Sequence, residues 1–176
     1  MMKSLSSKAA VIIIMIVMAA CNGSKNEKDK IISARENQLT GTWKYISLSG
    51  KSTQGDVLYP YGEHMFGMLM YDPGGFMSVL LMHPDRPGFA SGDMMKGTPE
   101  ELNAAFEGFD AYCGSYTIND ENASVTHHVQ GAKFPNWVGT DQIRFYTLSN
   151  DTLRITAPPI LAYGTEWTLE AVLVRQ

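Results

Sequence analysis

The stretch THHVQGAKFPNWVGTDQIRFY, residues 126–146, contains most of the polar and aromatic side chains with which this chain could recognise another molecule. Its two ends alternate in the way that strands do, and its middle is a connection rich in Gly, Pro, Asn and Trp. The pattern predicts two strands joined by an aromatic connection. We expect the strands to form part of the wall of a small β-barrel and the connection to lie at its mouth.

On both sides of this stretch, further short β-prone runs are separated by Gly, Pro, Asn and Asp. The apolar runs MFGMLMY (65–71) and FMSVLLM (76–82) flank the turn sequence DPGG and should form the most buried hairpin. The runs predict eight or nine strands, mostly adjacent in sequence. An all-β, antiparallel up-and-down barrel fits this pattern best, because closing the sheet removes its exposed edges.

One α-helix is predicted between the strands, at about residues 98–113. Thr98-Pro99-Glu100-Glu101 has the form of a capping box with proline at the first helical position. A lone helix among strands should cover an end or a flank of the barrel. Gly114 is the expected end of the helix. The apolar side chains that recur at helical spacing are Leu102, Ala105, Phe106, Phe109 and Tyr112.

The N-terminus has the composition of a secretory signal, with Lys3 and Lys8 before an apolar run at residues 9–18. The sequence VMAAC, residues 17–21, resembles the lipobox of bacterial lipoproteins. This resemblance implies that residues 1–20 are a lipoprotein signal peptide and that Cys21 is acylated. The alternative is an ordinary cleaved signal in which the cysteine has no role.

Residues 21–37 are polar and charged without useful periodicity, which is typical of a flexible tether, and residues 38–176 form the expected barrel domain. Several acyl chains together hold a protein firmly on a membrane. We therefore expect a lipid anchor in the bacterial cell envelope. The outer membrane is favoured, because Asn22 stands where aspartate is associated with inner-membrane retention.

The charge of the chain argues against one class of partner, and its cysteine content argues against a disulfide framework. Removal of residues 1–20 leaves twelve basic and eighteen acidic residues, a formal charge of −6, without a basic cluster of the kind that nucleic acid requires. Cys113 is the only cysteine besides Cys21, so no disulfide framework is predicted. No cofactor motif is present, and the sequence carries no signal for an oligomeric state.

The adjacent histidines His127 and His128 suggest a metal site at first sight. Neighbouring strand residues point to opposite faces, however, and no H-x-H, H-E-x-x-H or Cys/His cluster accompanies them. We therefore predict no metal site. His127 shares its face with Val125 and Val129 and should point into the barrel, either as a pocket residue or as a hydrogen-bonded core histidine.

Arg144 and Tyr146 share one strand face and could together hold a carboxylate, as a similar pair does in intracellular fatty-acid-binding barrels. The opposite face, with Ile143, Phe145 and Thr147, is at least as suitable for the core. We therefore expect Arg144 and Tyr146 to point outward, and an inward ligand clamp is the alternative.

Other candidate ligand-binding residues come from the connections and from the end of the helix. Phe134 and Trp137 are expected at the rim of the mouth, where barrel ligands enter. Tyr112 and Tyr116 are candidate partners for the inward histidine. Arg86, in the proline-bounded sequence HPDRP, either lines the mouth or locks its loop onto the helix, and we favour the lock.

A family resemblance can be stated on these residues. Gly41-Thr42-Trp43 resembles the G-x-W signature of lipocalin and calycin barrels. In addition, YPYGE (59–63), MSVLLMHPDRPGFASGD (77–93), GTPEEL (97–102) and the opening stretch resemble the bacterial and fungal lipocalin-like domain family. The resemblance implies a calycin-type barrel in which Trp43 plugs the closed end and an arginine, Arg175 rather than Arg154, stacks on it.

Three functions remain compatible with these patterns. The first is a membrane-anchored binding protein that takes up a small hydrophobic or amphipathic molecule in its barrel. The second is an isomerase, cyclase or hydratase that uses a His/Tyr pair in the cavity. The third is an envelope scaffold with a filled barrel, for which a broad exposed apolar patch would be the sign. The first is favoured, because the polar groups are few and scattered.

Overall fold

The computed structural model describes residues 38–162 and 164–176. Leu39 to Gln176 forms one compact unit. Within the described ranges, no helix combines the length and the apolar composition that crossing a bilayer requires. The expected signal peptide (1–20), the acylated Cys21 and the tether (21–37) lie outside the described residues.

The described chain folds into a closed antiparallel barrel of eight strands with two further short strands. Each barrel strand pairs with its neighbours, and β1 closes the barrel by pairing with both β3 and β10. The expected antiparallel barrel is confirmed. The strands are β1 (Gly41–Ser52), β2 (Val57–Leu58), β3 (Phe66–Tyr71), β4 (Phe76–Met82), β5 (Phe109–Asn119), β6 (Ser124–Ala132), β7 (Asp141–Ser149), β8 (Thr152–Thr156), β9 (Ile160–Ala162) and β10 (Thr165–Arg175), of which β2 and β9 are the additional ones.

The turn chemistry seen in the sequence forms the β3–β4 hairpin. The Asp72 side chain accepts a hydrogen bond from the Gly74 amide at 2.7 Å, and the Asp72 carbonyl accepts one from the Gly75 amide at 3.0 Å. Gly75 has a φ of 87°, a conformation that side-chain-bearing residues rarely adopt. The strands on either side therefore pair in register from Phe66 with Met82 to Tyr71 with Met77.

A β-bulge lies between β5 and β6, where the register shifts between Cys113 and Gly114. A Cβ atom at position 114 would lie 2.0 Å from the backbone oxygen of His128. The two backbones therefore approach this closely only because residue 114 is glycine. Gly114 lies inside a strand and does not stop a helix.

The closed end of the barrel is built around Trp43, whose side chain is fully buried. Its indole nitrogen donates to the Leu39 carbonyl at 2.8 Å, and the Arg175 guanidinium lies 4.2 Å from the centre of its ring. Arg175 is also the residue opposite Trp43 in the β1–β10 pair. The predicted stacking of Arg175 on Trp43 is therefore present, whereas Arg154 faces Glu170 on the exposed side of the barrel.

The predicted helix exists as α1 (Pro99–Glu107), and its capping box is complete, because Thr98 and Glu101 bond each other's backbone amides. The helix ends at Glu107, six residues before the expected end, and Gly108 is its C-cap. Phe109 and Tyr112 belong to β5, where they pair with Met82 and Val79 of β4. Helical spacing misled the prediction here, because a strand that gains a full ladder of hydrogen bonds outweighs one more helical turn.

Candidate ligand-binding site

A cavity of about 510 Å³ occupies the part of the barrel beyond the Trp43 plug. Apolar strand residues form most of its wall, and α1, the 3₁₀ helix Pro135–Trp137, β2 and β9 contribute to it from the same end. Its lining is Tyr45, Leu48, Leu58, Pro60, Tyr61, Val79, Leu81, Phe106, Glu107, Asp110, Tyr112, Lys133, Phe134, Trp137, Arg144, Ile155, Ala157, Ile160, Ala162, Trp167, Leu169 and Ala171. A cavity of this size with few polar groups is typical of small-molecule sites.

The aromatic connection predicted at the rim lines this cavity. The Trp137 ring meets the Tyr112 ring edge-on at 5.5 Å between centroids and the Phe134 ring edge-on at 5.9 Å. Such edge-to-face contacts hold large flat side chains in place with little loss of contact area. Three aromatic rings therefore form a continuous part of the cavity wall.

Arg144 points into the barrel, so the expectation that Arg144 and Tyr146 face outward was wrong. Residues directly opposite each other on paired strands share a face, and Arg144 pairs with Val125, which is buried. The other face carries Ile143 and Phe145, which are 44% and 43% exposed. Apolar residues alone had suggested the reverse orientation, but the register with β6 decides it.

The Arg144 guanidinium reaches a cluster of buried tyrosines. It hydrogen-bonds the Tyr112 side chain, and its charge also acts on Tyr45 and Tyr71. Burial raises the pKa of all three phenols, despite the opposing effect of the guanidinium, so they are neutral at physiological pH. Of these phenols, Tyr45 and Tyr112 line the cavity together with Arg144.

His127 lies beneath this cluster and is 1% exposed. Its Nε2 lies 2.8 Å from the Tyr71 hydroxyl and its Nδ1 lies 3.0 Å from the Tyr112 hydroxyl. Burial, together with the nearby Arg144 charge, lowers the pKa of His127 to about 3. The ring is therefore neutral, so one nitrogen donates to one tyrosine and the other accepts from the second.

Several predicted site residues do not line the cavity. His127 points inward as expected but is covered by Tyr112, which makes it the hydrogen-bonded core histidine of the two alternatives. Tyr116 is buried against Tyr71, and its hydroxyl donates to the Asp72 carbonyl at 3.1 Å. Tyr146 faces inward but packs against the core. The aromatic side chains at this depth belong to the buried core of the barrel.

Arg86 also lies away from the cavity, in agreement with the favoured lock. Its Nη1 donates to the Ala105 carbonyl at 3.3 Å, and its guanidinium lies 5.2 Å from the centre of the Phe109 ring. It therefore connects its loop to α1 and to the start of β5. A Cβ at position 108 would lie 2.6 Å from the Arg86 side chain, so the glycine that ends the helix also makes room for this lock.

The second histidine, His128, lies on the outer face. Its Nδ1 is 2.7 Å from Asp141 and its Nε2 is 3.0 Å from Thr117, so the imidazole bridges three neighbouring strands. The two histidines therefore point to opposite sides of the wall. In the part of the chain that the structure describes, no group of three or more His, Cys, Asp or Glu side chains is arranged to hold a metal ion.

A polar group that the sequence analysis missed lies at the mouth. Asp110, Tyr61 and Lys133 all line the cavity, and Tyr61 hydrogen-bonds the Asp110 side chain. Burial raises the pKa of Asp110, and the charge of Lys133 opposes this effect. Asp110 and Tyr112 are two positions apart, which on a strand places both side chains on one face. Both residues were assigned to the helix from the sequence, and the shared face was therefore missed.

Comparison with known proteins places the chain in a family, because residues 40–176 match the lipocalin-like domain. The chain belongs to the lipocalin-like domain family. It is 35% identical over 97 residues to the 4'-hydroxy-3'-methoxypropiophenone carrier protein ppsC of Aspergillus oryzae (strain ATCC 42149 / RIB 40), a match that covers 51% of this chain and 87% of that protein.

One solved structure similar to this lipocalin-like protein is that of a lipocalin-like protein from Bacteroides uniformis ATCC 8492. The two chains are 12% identical, the TM-score is 0.41, and the match covers 78% of this chain and 98% of the other. The family assignment, the closed barrel and the open cavity together fit ligand binding.

Proposed function

We propose that this lipocalin-like protein binds and carries a small, mainly apolar molecule that has one polar end. The observation that carries the proposal is the cavity of about 510 Å³, whose wall is apolar except for a few polar groups. The relationship to a fungal carrier protein supports a carrier role. That relative is named for a small aromatic ketone, and the aromatic wall formed with Trp137 and Phe134 suits a flat ligand of similar size.

The enzymatic alternative is weaker on the geometry. His127 does meet Tyr112 within hydrogen-bond distance, as a cavity acid–base pair would require. The imidazole is nevertheless covered, and a group with a pKa of about 3 is a poor proton acceptor near neutral pH. The scaffold alternative rests on a filled barrel, and the open cavity argues against that arrangement.

Binding can be tested with N-phenyl-1-naphthylamine, a neutral apolar probe whose fluorescence rises in apolar surroundings. On β9, Ala162 lines the cavity, whereas its neighbour Leu161 is 75% exposed. We expect the wild-type domain to bind the probe and Ala162→Trp, which narrows the mouth, to bind it at least about tenfold more weakly. Leu161→Trp adds a tryptophan to the same short strand but outside the cavity, so it should bind within about twofold of the wild type.

If the domain at micromolar concentrations does not raise the fluorescence of the probe, the carrier proposal is refuted. Equal loss of binding in both tryptophan variants would also count against it, because the effect would then come from disturbing β9 and not from filling the cavity. Extraction of the domain purified from its own cell type, followed by mass spectrometry, would identify the natural ligand.

We further propose that Cys21 is acylated and holds the protein on a membrane of the bacterial cell envelope, with the outer membrane favoured. The support is the sequence VMAAC after an apolar run. We expect an alkyne-labelled fatty acid to be incorporated into the wild type and into Cys113→Ser but not into Cys21→Ser. Labelling that survives in Cys21→Ser would exclude this anchor, and separation of the two membranes would test the location.

A further inference from the structure

We propose that the ligand of this cavity is an aromatic carboxylate whose anionic group binds the Arg144 guanidinium beside the Tyr112 hydroxyl. This inference rests on the proposed carrier function and names the chemical class of its ligand. It starts from a charge that the fold leaves without a counter-charge in the cavity wall.

Arg144 has no acidic partner among the described residues. Its Nη1 donates to the Ile143 carbonyl at 2.9 Å, and its Nη2 lies 3.5 Å from the Gln142 side-chain oxygen. Both of these oxygens are neutral. A guanidinium carries five N–H donors in a planar fork that matches a carboxylate, so these two contacts and the hydrogen bond to Tyr112 use only part of its capacity.

The groups around Arg144 do not supply a negative charge either. Tyr45 and Tyr112 are neutral, because burial raises the pKa of each phenol well above physiological pH. His127 is neutral as well, because burial and the same guanidinium lower its pKa to about 3. The Arg144 guanidinium therefore carries its positive charge in apolar surroundings, where charges are screened far less than in water.

The acidic residues of the cavity lie near a different cation. The groups that lower the pKa of Asp110 are Lys133, Tyr61 and the backbone of Ala111, and Arg144 is not one of them. Lys133 is itself held at the mouth, where its ammonium lies 4.0 Å from the centre of the Phe106 ring and donates to the Phe109 carbonyl. Glu107, the other acidic lining residue, is exposed. Asp110 also acts on the Tyr45 and Tyr112 phenols beside Arg144, but it forms no ion pair with that guanidinium among the described residues.

A carboxylate on a flat ring system fits both parts of this site. The guanidinium can bind the two oxygens side by side, and Tyr112 brings a hydroxyl next to the same position. The Trp137 and Phe134 rings then lie beside the apolar part of the ligand. A neutral ketone or amide of the same shape would fill the same space but would leave the positive charge without a counter-charge.

The experiment measures displacement of N-phenyl-1-naphthylamine by three ligands of one shape: 2-naphthoate, 2-naphthamide and 2-acetylnaphthalene. At pH 7 only the first is charged. We expect the wild type to bind 2-naphthoate about tenfold to a hundredfold more tightly than either neutral ligand, which is the range expected for a hydrogen-bonded charge in an apolar site. Arg144→Gln should bind all three with similar affinity, and Arg144→Lys should keep part of the preference.

Arg154→Gln is the matched control, because it removes an arginine from the strand next to β7, on the outer face of the barrel and outside the cavity. It should retain the wild-type preference for 2-naphthoate within about threefold. Retention of the probe by each variant shows that its cavity is intact. Equal binding of the charged and neutral ligands by the wild type would overturn the inference while leaving the carrier function standing, and so would a preference that survives in Arg144→Gln. Failure of the wild type to bind the probe at all would instead overturn the carrier function, and this inference with it.

Discussion

Two arginines of the barrel face very different surroundings. Arg175, at the closed end, lies flat on Trp43, donates to the Thr40 carbonyl at 2.8 Å and approaches Asp151 to 3.7 Å. Arg144, in the wall of the cavity, touches only neutral groups among the described residues. The first arginine has an aromatic face, a carbonyl and a carboxylate, whereas the second has no counter-charge.

The difference separates the half of the barrel that stabilises the fold from the half that is available for a ligand. A buried or half-buried charge without a partner costs free energy, so a fold retains one most readily where a ligand completes the site. The closed half of the barrel needs no ligand to complete it, because its polar groups have partners within the chain. Four predictions test this division, from the largest expected effect to the smallest.

Truncation of the plug should give the largest loss of stability. Trp43→Ala removes a fully buried indole, its hydrogen bond to Leu39 and the surface on which Arg175 stacks. We expect the free energy of unfolding, measured with urea, to fall by about 3–5 kcal/mol. Trp137→Ala, at the mouth, should cost about 1 kcal/mol. Equal losses in the two variants would mean that the two ends of the barrel do not differ in the way proposed.

Acid should destabilise the protein through His127. Folding lowers the pKa of His127 from 6.5 to about 3, so between these values the unfolded chain binds a proton that the native protein does not. Its contribution to stability is therefore complete above pH 6.5 and is lost progressively down to about pH 3, by up to about 1.4 kcal/mol per pH unit. Urea midpoints measured across this range should fall less steeply for His127→Gln than for the wild type.

The outer-wall histidine provides the matched control for this pH experiment. His128→Gln removes an imidazole from the same strand but from its outer face, where His128 bonds Asp141 and Thr117, and so serves as the comparison for His127→Gln. Parallel curves for the wild type and His127→Gln would contradict a buried neutral imidazole at position 127.

Loss of the stacked arginine should have an intermediate effect. Arg175→Gln removes the contact with the Trp43 ring and the hydrogen bond to Thr40, and we expect it to lower the free energy of unfolding by about 1–2 kcal/mol. Thermal unfolding of the domain without ligand would measure this change. A variant as stable as the wild type would show that the stacked guanidinium is not needed for closure of the barrel.

Loss of the cavity arginine should have the smallest effect on stability. Arg144→Gln removes an unpaired charge, so the domain without ligand should keep its stability within about 0.5 kcal/mol or gain slightly. The same urea titration as for Arg175→Gln gives a direct comparison. A loss above about 1 kcal/mol would show that Arg144 has a structural partner and would weaken the contrast between the two arginines.

The site was harder to predict than the fold. The turn at Asp72, the cap at Thr98 and the plug at Trp43 are local patterns, and each forms as expected. Tyr112 was predicted as a ligand residue, yet on a helix, because its spacing from Phe109 suits a helical turn as well as other arrangements. Asp110 and Lys133 were missed, since they approach each other only when β5 and β6 pair.

Local periodicity thus determined which residues share a face and where the chain turns, because these properties depend on neighbours in sequence. It placed His127 with two valines on one face, and that face is buried. Whether the face carrying Arg144 points inward depended on pairing with β6, and whether His127 meets the cavity depended on the aromatic rings above it. Register and packing join residues far apart in the chain, so these two properties arise only when the barrel closes.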